Sequence, residues 1–398
     1  MAGCFFVAWF LRFIVRKSEE VKRLYTFSMS IPTVIRFGPG EVRNVGIAMK
    51  ECADNVLLLY GSERIFRCGT GAGIVADLEE AGCRVVRLGG VPANTDSQFI
   101  DQAIQLVRSE GLNGILAVGG GSVIDSAKAI AVGACSNTGI LEVFRSGETG
   151  DFVLPLGAVV TIPATGSEAN AVAVITDHET HRKYTGRFPQ AKPRFAILDP
   201  ELTLSVPPQQ TAIGGFDIFS HAFERYFDLR RGSVLLDELT LALMRTVVEC
   251  LPALVKDPEN LELRSEIMFA ATVAHSDMLG PGGDFGCHGL SHFLTEVHGI
   301  THGGGLAMLI PAWCQVMRHH DEERFRTFYR GVFGVEDLEE GQRRLEGFVQ
   351  AIGLPRKVGE TMDAASMTKL TLEAGRSIGS GFRVMEPAEI EAVYEALR

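Results

Sequence analysis

Three short runs, Val56-Leu-Leu-Leu-Tyr60, Arg84-Val-Val-Arg-Leu88 and Gly114-Ile-Leu-Ala-Val118, alternate with amphipathic stretches, and this alternation restricts the fold more than any other feature. The first and third are apolar throughout, as strands buried on both faces are. Between the first two, residues 73–82 place Ile74, Val75, Leu78 and Ala81 on one helical face and stop at Gly82, a glycine C-cap. Residues 97–109 repeat the helical spacing with Phe99, Ile100, Ala103, Ile104 and Val107. Strand–helix alternation of this kind predicts a parallel sheet flanked by helices over residues 31–200.

Beyond the pair Pro207-Pro208, neither of which suits a helix interior, helical periodicity takes over. Helices are expected over residues 233–254, 261–279, 306–319, 341–353 and 387–397. The expected organisation is an α/β domain over residues 27–206 and an all-α domain over residues 207–398. Residues 1–26 are expected to be an appendage, with a membrane anchor as the alternative. Its apolar run, residues 4–15, is broken by Arg12 and is too short to span a bilayer. It also lacks the charge order of a secretory signal.

The net charge of −11 argues against nucleic acid or an anionic membrane surface as partner. Eight scattered cysteines without any Cys-x-x-Cys point to free thiols in a reducing, cytoplasmic setting rather than to a zinc cluster.

Gly119-Gly-Gly-Ser122 directly follows the third strand and precedes a helix over residues 123–132. Glycines let backbone approach a ligand closely, and the free N–H groups of a helix start suit a phosphate. A glycine turn N-capped by Ser122 reads equally well from this motif alone. A second hydroxyl-rich loop, Thr161-Ile-Pro-Ala-Thr165-Gly-Ser-Glu168, tips the pair towards a dinucleotide. In the helical half, Asp217-Ile-Phe-Ser-His221 and His288-Gly-Leu-Ser-His292 each set two polar side chains one helical turn apart, and Thr301-His302-Gly303 adds an imidazole. One carboxylate with neutral imidazoles suits a divalent metal that keeps a position open. His298 is a spare, and His319-His320 reads as a solvated helix end.

These motifs, with Phe37-Gly-Pro-Gly, Gly119 to Asp125, Leu198-Asp-Pro200 and Ser291-His-Phe-Leu-Thr295, resemble the iron-dependent (group III) alcohol dehydrogenases, in particular their butanol dehydrogenase branch. The resemblance runs from about Phe27 to the C-terminus. It implies a dehydroquinate synthase-like architecture with the site between the two domains, and metal ligands Asp217, His221, His288 and His302. It implies pyrophosphate contacts at Gly119, Gly120, Gly121 and Ser122, and further cofactor contacts at Thr161, Thr165, Val174 and Lys183. Asn94 matches a family asparagine, in a turn that here reads Pro92-Ala-Asn94-Thr95. NAD-preferring members carry an Asp where this chain has Gly61-Ser62, so NADP(H) is expected ahead of NAD(H), with Glu63 as the opposing feature. Iron(II) is the metal expected first, although zinc suits the same ligands. A homodimer is expected, with residues 28–36 contributing.

The expected chemistry is hydride transfer between NAD(P)H and aldehydes or primary alcohols, with a metal ion as Lewis acid, His292 as proton relay and Asp284 as acceptor for a ligand imidazole. Phe285, Phe293, Leu294, Trp313 and Met317 are candidates for the wall of a pocket taking short uncharged aldehydes. A glycerol-type polyol dehydrogenase, a non-redox relative such as a dehydroquinate synthase, and a catalytically idle NADP-binding protein of the same fold are the alternatives.

Overall fold

A computed structural model describes residues 26–398 except Asp151 and Arg376. The expected appendage therefore lies outside the described residues, apart from its last position. Of eight strands among the described residues, six form one parallel sheet: β1 (Val34–Phe37), β2 (Asn55–Tyr60), β3 (Arg84–Leu88), β4 (Gly114–Gly119), β5 (Leu156–Val160) and β8 (Phe195–Leu198). Their order is β1-β8-β5-β4-β2-β3. The remaining two, β6 (Val172–Thr176) and β7 (Lys183–Arg187), pair as an antiparallel hairpin.

Side chains alternate across the sheet as the strand period of two requires. Leu57, Leu59, Ile115, Ala117, Leu156 and Ala158 face one core, covered by α4 (Ser97–Ser109), α5 (Gly121–Gly133) and α6 (Ile140–Ser146). Val56, Leu58, Leu116, Val118, Val159 and Ile197 face the other, covered by α1 (Val45–Lys50), α2 (Arg64–Arg67) and α3 (Thr70–Glu80). With both faces occupied, β4 and β5 are buried at every residue, which is why they read as continuous apolar runs. The chain leaves β2 towards β3 on one side and returns to β4 on the other, so the strand order switches between β2 and β4. Ligands of open α/β sheets bind at such a point, at the C-terminal strand ends. Gly61 and the Gly119–Ser122 loop sit there.

The second half is helical: α7 (Pro208–Tyr226), α8 (Val234–Lys256), α9 (Leu261–His275), α10 (Gly286–His298), α11 (His302–Met317), α12 (Glu322–Phe333), α13 (Leu338–Ala351), α14 (Ala364–Glu373) and α15 (Pro387–Glu395). Pro208 occupies the first turn of α7, where its missing N–H removes no helical bond. The axis of this half is α7, buried from Gly214 to Tyr226. Phe216, Phe219 and Phe223, at i, i+3 and i+7, enter an aromatic core with Trp313, Phe328 and Phe348. Another face of α7 carries Asp217, His221 and Glu224, and it too is buried. Buried ionisable groups are costly unless paired or bound, so this face has a purpose other than packing. Among the described residues, no helix is long and apolar enough to cross a membrane.

Candidate metal and cofactor site

Helix α7 supplies Asp217 and, one turn on, His221. Helix α10 supplies His288, and the first residue of α11 supplies His302. A side chain at Gly303 would collide with Ile213 O at 2.4 Å, so that glycine is what lets the start of α11 press against α7. Asp217 Oδ1 is the common centre: His221 Nδ1 lies 3.9 Å from it, and His288 Nε2 and His302 Nε2 each lie 3.8 Å from it. Donors held at ~2.1 Å from a tetrahedral ion would be about 3.4 Å apart, slightly closer than these. Asp217 Oδ1, His221 Nδ1 and His288 Nε2 are buried without a hydrogen-bond partner. Such atoms are rare in native proteins and call for an unseen ligand. His302 keeps about a third of its side chain, 33%, exposed, so the cluster is open on that side.

Neighbouring groups fix the tautomers. Glu224 Oε2 accepts a short hydrogen bond from Nδ1 of His288, which leaves Nε2 as the lone-pair atom. Its other oxygen accepts from the backbone N–H of Cys287 at 2.7 Å. Ser291 Oγ donates to His302 O at 3.0 Å and stands 3.0 Å from His302 Nδ1. With its proton already used, the hydroxyl accepts from Nδ1–H, and Nε2 again carries the lone pair. Burial pushes the Asp217 carboxyl up to about 6. Burial and the neighbouring cationic groups hold His221 and His302 well below the usual imidazole range. Burial also works against the charged form of His288, yet the Glu224 carboxylate reverses the balance and raises it. One carboxylate and three imidazoles, two of them held neutral, are the donor set a divalent cation needs.

The expected cofactor residues gather at the sheet's C-terminal edge. Gly61 and Ser62 follow β2, Gly119 ends β4, and Gly121 opens α5 with Ser122 beside it. Ser122 Oγ donates to Ala93 O and Thr95 Oγ1 donates to Ser122 O at 3.1 Å, which ties the turn carrying Asn94 to the Gly119–Ser122 loop. Thr161 follows β5, and its N–H donates to Gly119 O at 3.0 Å. A Cβ at Gly121 would meet Thr165 Oγ1 at 2.6 Å, so the two glycine- and hydroxyl-rich loops are in close contact. Val174 lies on β6, its N–H bonded to Asp125 Oδ2 at 3.0 Å. Lys183 heads β7, and after burial, His288 and His292 its charge is the smallest of the influences that lower the His302 imidazole.

Two family models cover the chain almost end to end: iron-containing alcohol dehydrogenase over residues 32–200, and the C-terminal region of the Fe-containing alcohol dehydrogenase family over residues 211–397. The chain belongs to the iron-containing alcohol dehydrogenases. It is 37% identical over 344 residues to the probable NADH-dependent butanol dehydrogenase 2 of Bacillus subtilis, covering 84% of this chain and 88% of that one. It is 31% identical over 356 residues to the NADPH-dependent aldehyde reductase YqhD of Escherichia coli, covering 86% and 91%. Among solved structures, the NADH-dependent butanol dehydrogenase A of Thermotoga maritima superposes with a TM-score of 0.88 at 29% identity, over 94% of this chain and 99% of that one. Iron-containing alcohol dehydrogenases are oxidoreductases that use NAD(P)H and a divalent metal, and this chain is an enzyme of that family.

Within this iron-containing alcohol dehydrogenase several expectations need correction. Asp284 does not meet a ligand imidazole. Its oxygens accept from the backbone N–H groups of Gly286, Ser380, Gly381 and Phe382, so it pins the 380–382 loop to the start of α10. Glu224, absent from the expected site residues, takes the role instead, although its position at i+7 from Asp217 placed it on the same helical face. Ser291 and His275 were also missed. Trp313, Met317 and Leu294 are core residues, each at most 2% exposed, whereas Phe285 is half-buried with its ring edge against His288. His320 is not merely solvated, since its Nε2 bonds Glu389 at 2.7 Å. His292 lies beside the cluster, 5.5 Å from His302 between ring centres. His298 is ten residues beyond His288, ~15 Å along the helix axis.

Proposed function

We propose that this enzyme transfers hydride reversibly between NADPH and small, uncharged aldehydes or primary alcohols, with a divalent ion held by Asp217, His221, His288 and His302. The observation that carries this reading is the meeting of four donor side chains, three of them with buried unpartnered atoms, beside the loops at the sheet's switch point. Asp217, His221, His288 and His302 would hold the ion, which would supply Lewis-acid polarisation of the substrate oxygen. A bound nicotinamide would supply the hydride chemistry, and the chain's part is to position it.

The remaining work falls to the chain. Glu224 and Ser291 hold two imidazoles with their lone pairs turned inward. Residues Gly119–Ser122, with the α5 N-terminus, bind the pyrophosphate, and Asn94, Thr161, Thr165, Val174 and Lys183 line the path from adenosine to nicotinamide. His292 exchanges the proton with the alcohol oxygen. Phe285 and Phe293 give the substrate an apolar wall. The preference for NADPH rests on the missing carboxylate at Gly61-Ser62. Glu63, the opposing feature, has its carboxylate engaged by Tyr60 Oη at 2.5 Å and Arg87 at 3.7 Å. Similar proteins of both cofactor types exist. Iron(II) is proposed as the native metal, with zinc able to occupy the same donors. The open edge of β1, with Val34 and Phe37 exposed, supports a homodimer formed by edge pairing.

The test is metal analysis of freshly purified protein alongside butyraldehyde reduction with NADPH and NADH, and glycerol oxidation with NAD. Chelator-sensitive aldehyde reduction with NADPH is expected. Faster glycerol oxidation, or no consumption of either nicotinamide with a panel of aldehydes, overturns the reading.

A further inference from the structure

His275, the last residue of α9, is neither a metal donor nor part of the cofactor loops, yet it touches both. Its ring stacks on that of His221, with centroids 4.0 Å apart and planes inclined by 22°. Its Nδ1 lies 3.0 Å from Thr165 O. A carbonyl can only accept, so Nδ1 carries the proton and the tautomer is fixed. The contact is one of several between the Thr165–Glu168 loop and one face of α9. Glu168 Oε1 accepts from Thr272 Oγ1 at 2.6 Å, and a Cβ at Gly166 would strike Ala271 O at 2.7 Å. Residues 271, 272 and 275 share that face because three and four positions along a helix stack.

The same loop is bound from its other side to the phosphate helix. Ser167 Oγ donates to Asp125 Oδ1 at 2.5 Å, and the buried ammonium of Lys128 donates to Ser167 Oγ at 2.8 Å and to Asn170 Oδ1 at 3.0 Å. Asp125 and Lys128 both belong to α5, whose first turn is the pyrophosphate site. An unbroken set of packed and hydrogen-bonded groups thus runs from α5 through the Thr165–Asn170 loop and His275 to His221. Neighbours in that set cannot shift independently without breaking a hydrogen bond or a ring stack.

We propose that His275 is a positioning residue that couples the two sites: through its ring it orients His221, through its N–H it holds the cofactor loop, and metal binding and NADPH binding therefore strengthen each other. The inference rests on the metal-site reading above. Coupling of this kind is reciprocal and is commonly 5- to 150-fold.

The experiment uses the full chain, stripped with chelator and then reloaded with zinc as a redox-inert probe. NADPH affinity is measured by its fluorescence in both states, and zinc is counted separately. The wild type is expected to bind NADPH at least ~5-fold more tightly with zinc than without. His275→Phe keeps an aromatic ring but loses the N–H. His275→Asn keeps a donor near the Nδ1 position but loses the stacked ring. Both variants are expected to bind zinc and, whatever their NADPH affinity in the stripped state, to show a zinc effect of less than twofold on it. Should the Phe variant fail to fold, the Asn variant carries the test. A wild type that takes up zinc with no change in NADPH affinity overturns the coupling alone, as do variants that keep the full zinc effect. A wild type that takes up no zinc overturns the metal-site reading, and this inference with it.

Discussion

Glu224 receives the Nδ1–H of His288, and the opposite nitrogen of the same ring is thereby left facing Asp217 Oδ1 at 3.8 Å. A carboxylate behind an imidazole both fixes the tautomer and raises its basicity as a ligand. Glu224→Ala should therefore weaken zinc or iron retention by 10- to 100-fold, measured by competition with a chromogenic chelator. It should also destabilise the metal-free protein, because the N–H of Cys287 loses its buried acceptor. Unchanged metal affinity would assign Glu224 a purely structural role.

His288→Ala removes one of the three imidazole donors around Asp217 while leaving the sheet's C-terminal edge untouched. Metal retention and turnover should vanish, and NADPH should bind the variant as it binds metal-free wild type. A further loss of cofactor affinity, read by fluorescence titration, would contradict the division of labour between the two halves of the chain.

Asp217 gives a pH dependence with a definite sign. In the metal-free protein its carboxyl is raised to about 6 by burial, above the value of an unfolded chain. Its contribution to stability is therefore complete below about pH 4 and is lost as pH rises through about 6. The loss is on the order of 3 kcal/mol, since each tenfold change in acid strength is worth about 1.4 kcal/mol. Asp217→Asn should flatten that part of the urea-denaturation profile and leave metal-free protein more stable at neutral pH, though unable to hold metal. Metal affinity of the wild type should fall as pH drops through 6, since a proton then competes for the same oxygen. A stability profile identical for Asp217→Asn and wild type would show that this carboxyl carries no burial cost.

Gly61→Asp tests the cofactor preference. A Cβ there would meet only Val123 Cγ2, at 3.7 Å, an ordinary contact, so the fold should tolerate the change. The new carboxylate should accept hydrogen bonds from a ribose 2′-OH and repel a 2′-phosphate. The ratio of kcat/KM for NADPH to that for NADH is expected to fall by at least tenfold, the equivalent of ~1.4 kcal/mol. An unaltered ratio would remove Gly61 from the specificity argument.

What the sequence determined by itself was whatever depends on residues close along the chain. β3 and α4 lie where the periodicity placed them, and β2, β4 and α5 lie within two residues, because strand and helix periods are local properties. Asp217 with His221 was legible for the same reason, one turn of one helix. Ends set by capping and packing were less exact. The glycine-rich start of α11, for instance, is helical from His302 rather than from 306, since its Gly303 is wedged against α7. What only the tertiary structure decided was which polar groups meet across elements. The sequence pointed to Asp284, four residues before His288, and not to Glu224, as the partner of a ligand imidazole. The first is consumed by backbone N–H groups of residues 380–382 and the second is aimed at the ring, a choice fixed by where the first turn of α10 meets Glu224 on α7. His275 gave no signal at all, because a lone histidine at a helix end acquires meaning only when His221 and Thr165, 54 and 110 residues away along the chain, are folded against it. Periodicity reports what a residue buries, whereas hydrogen-bond geometry between distant segments exists only once the chain has closed on itself.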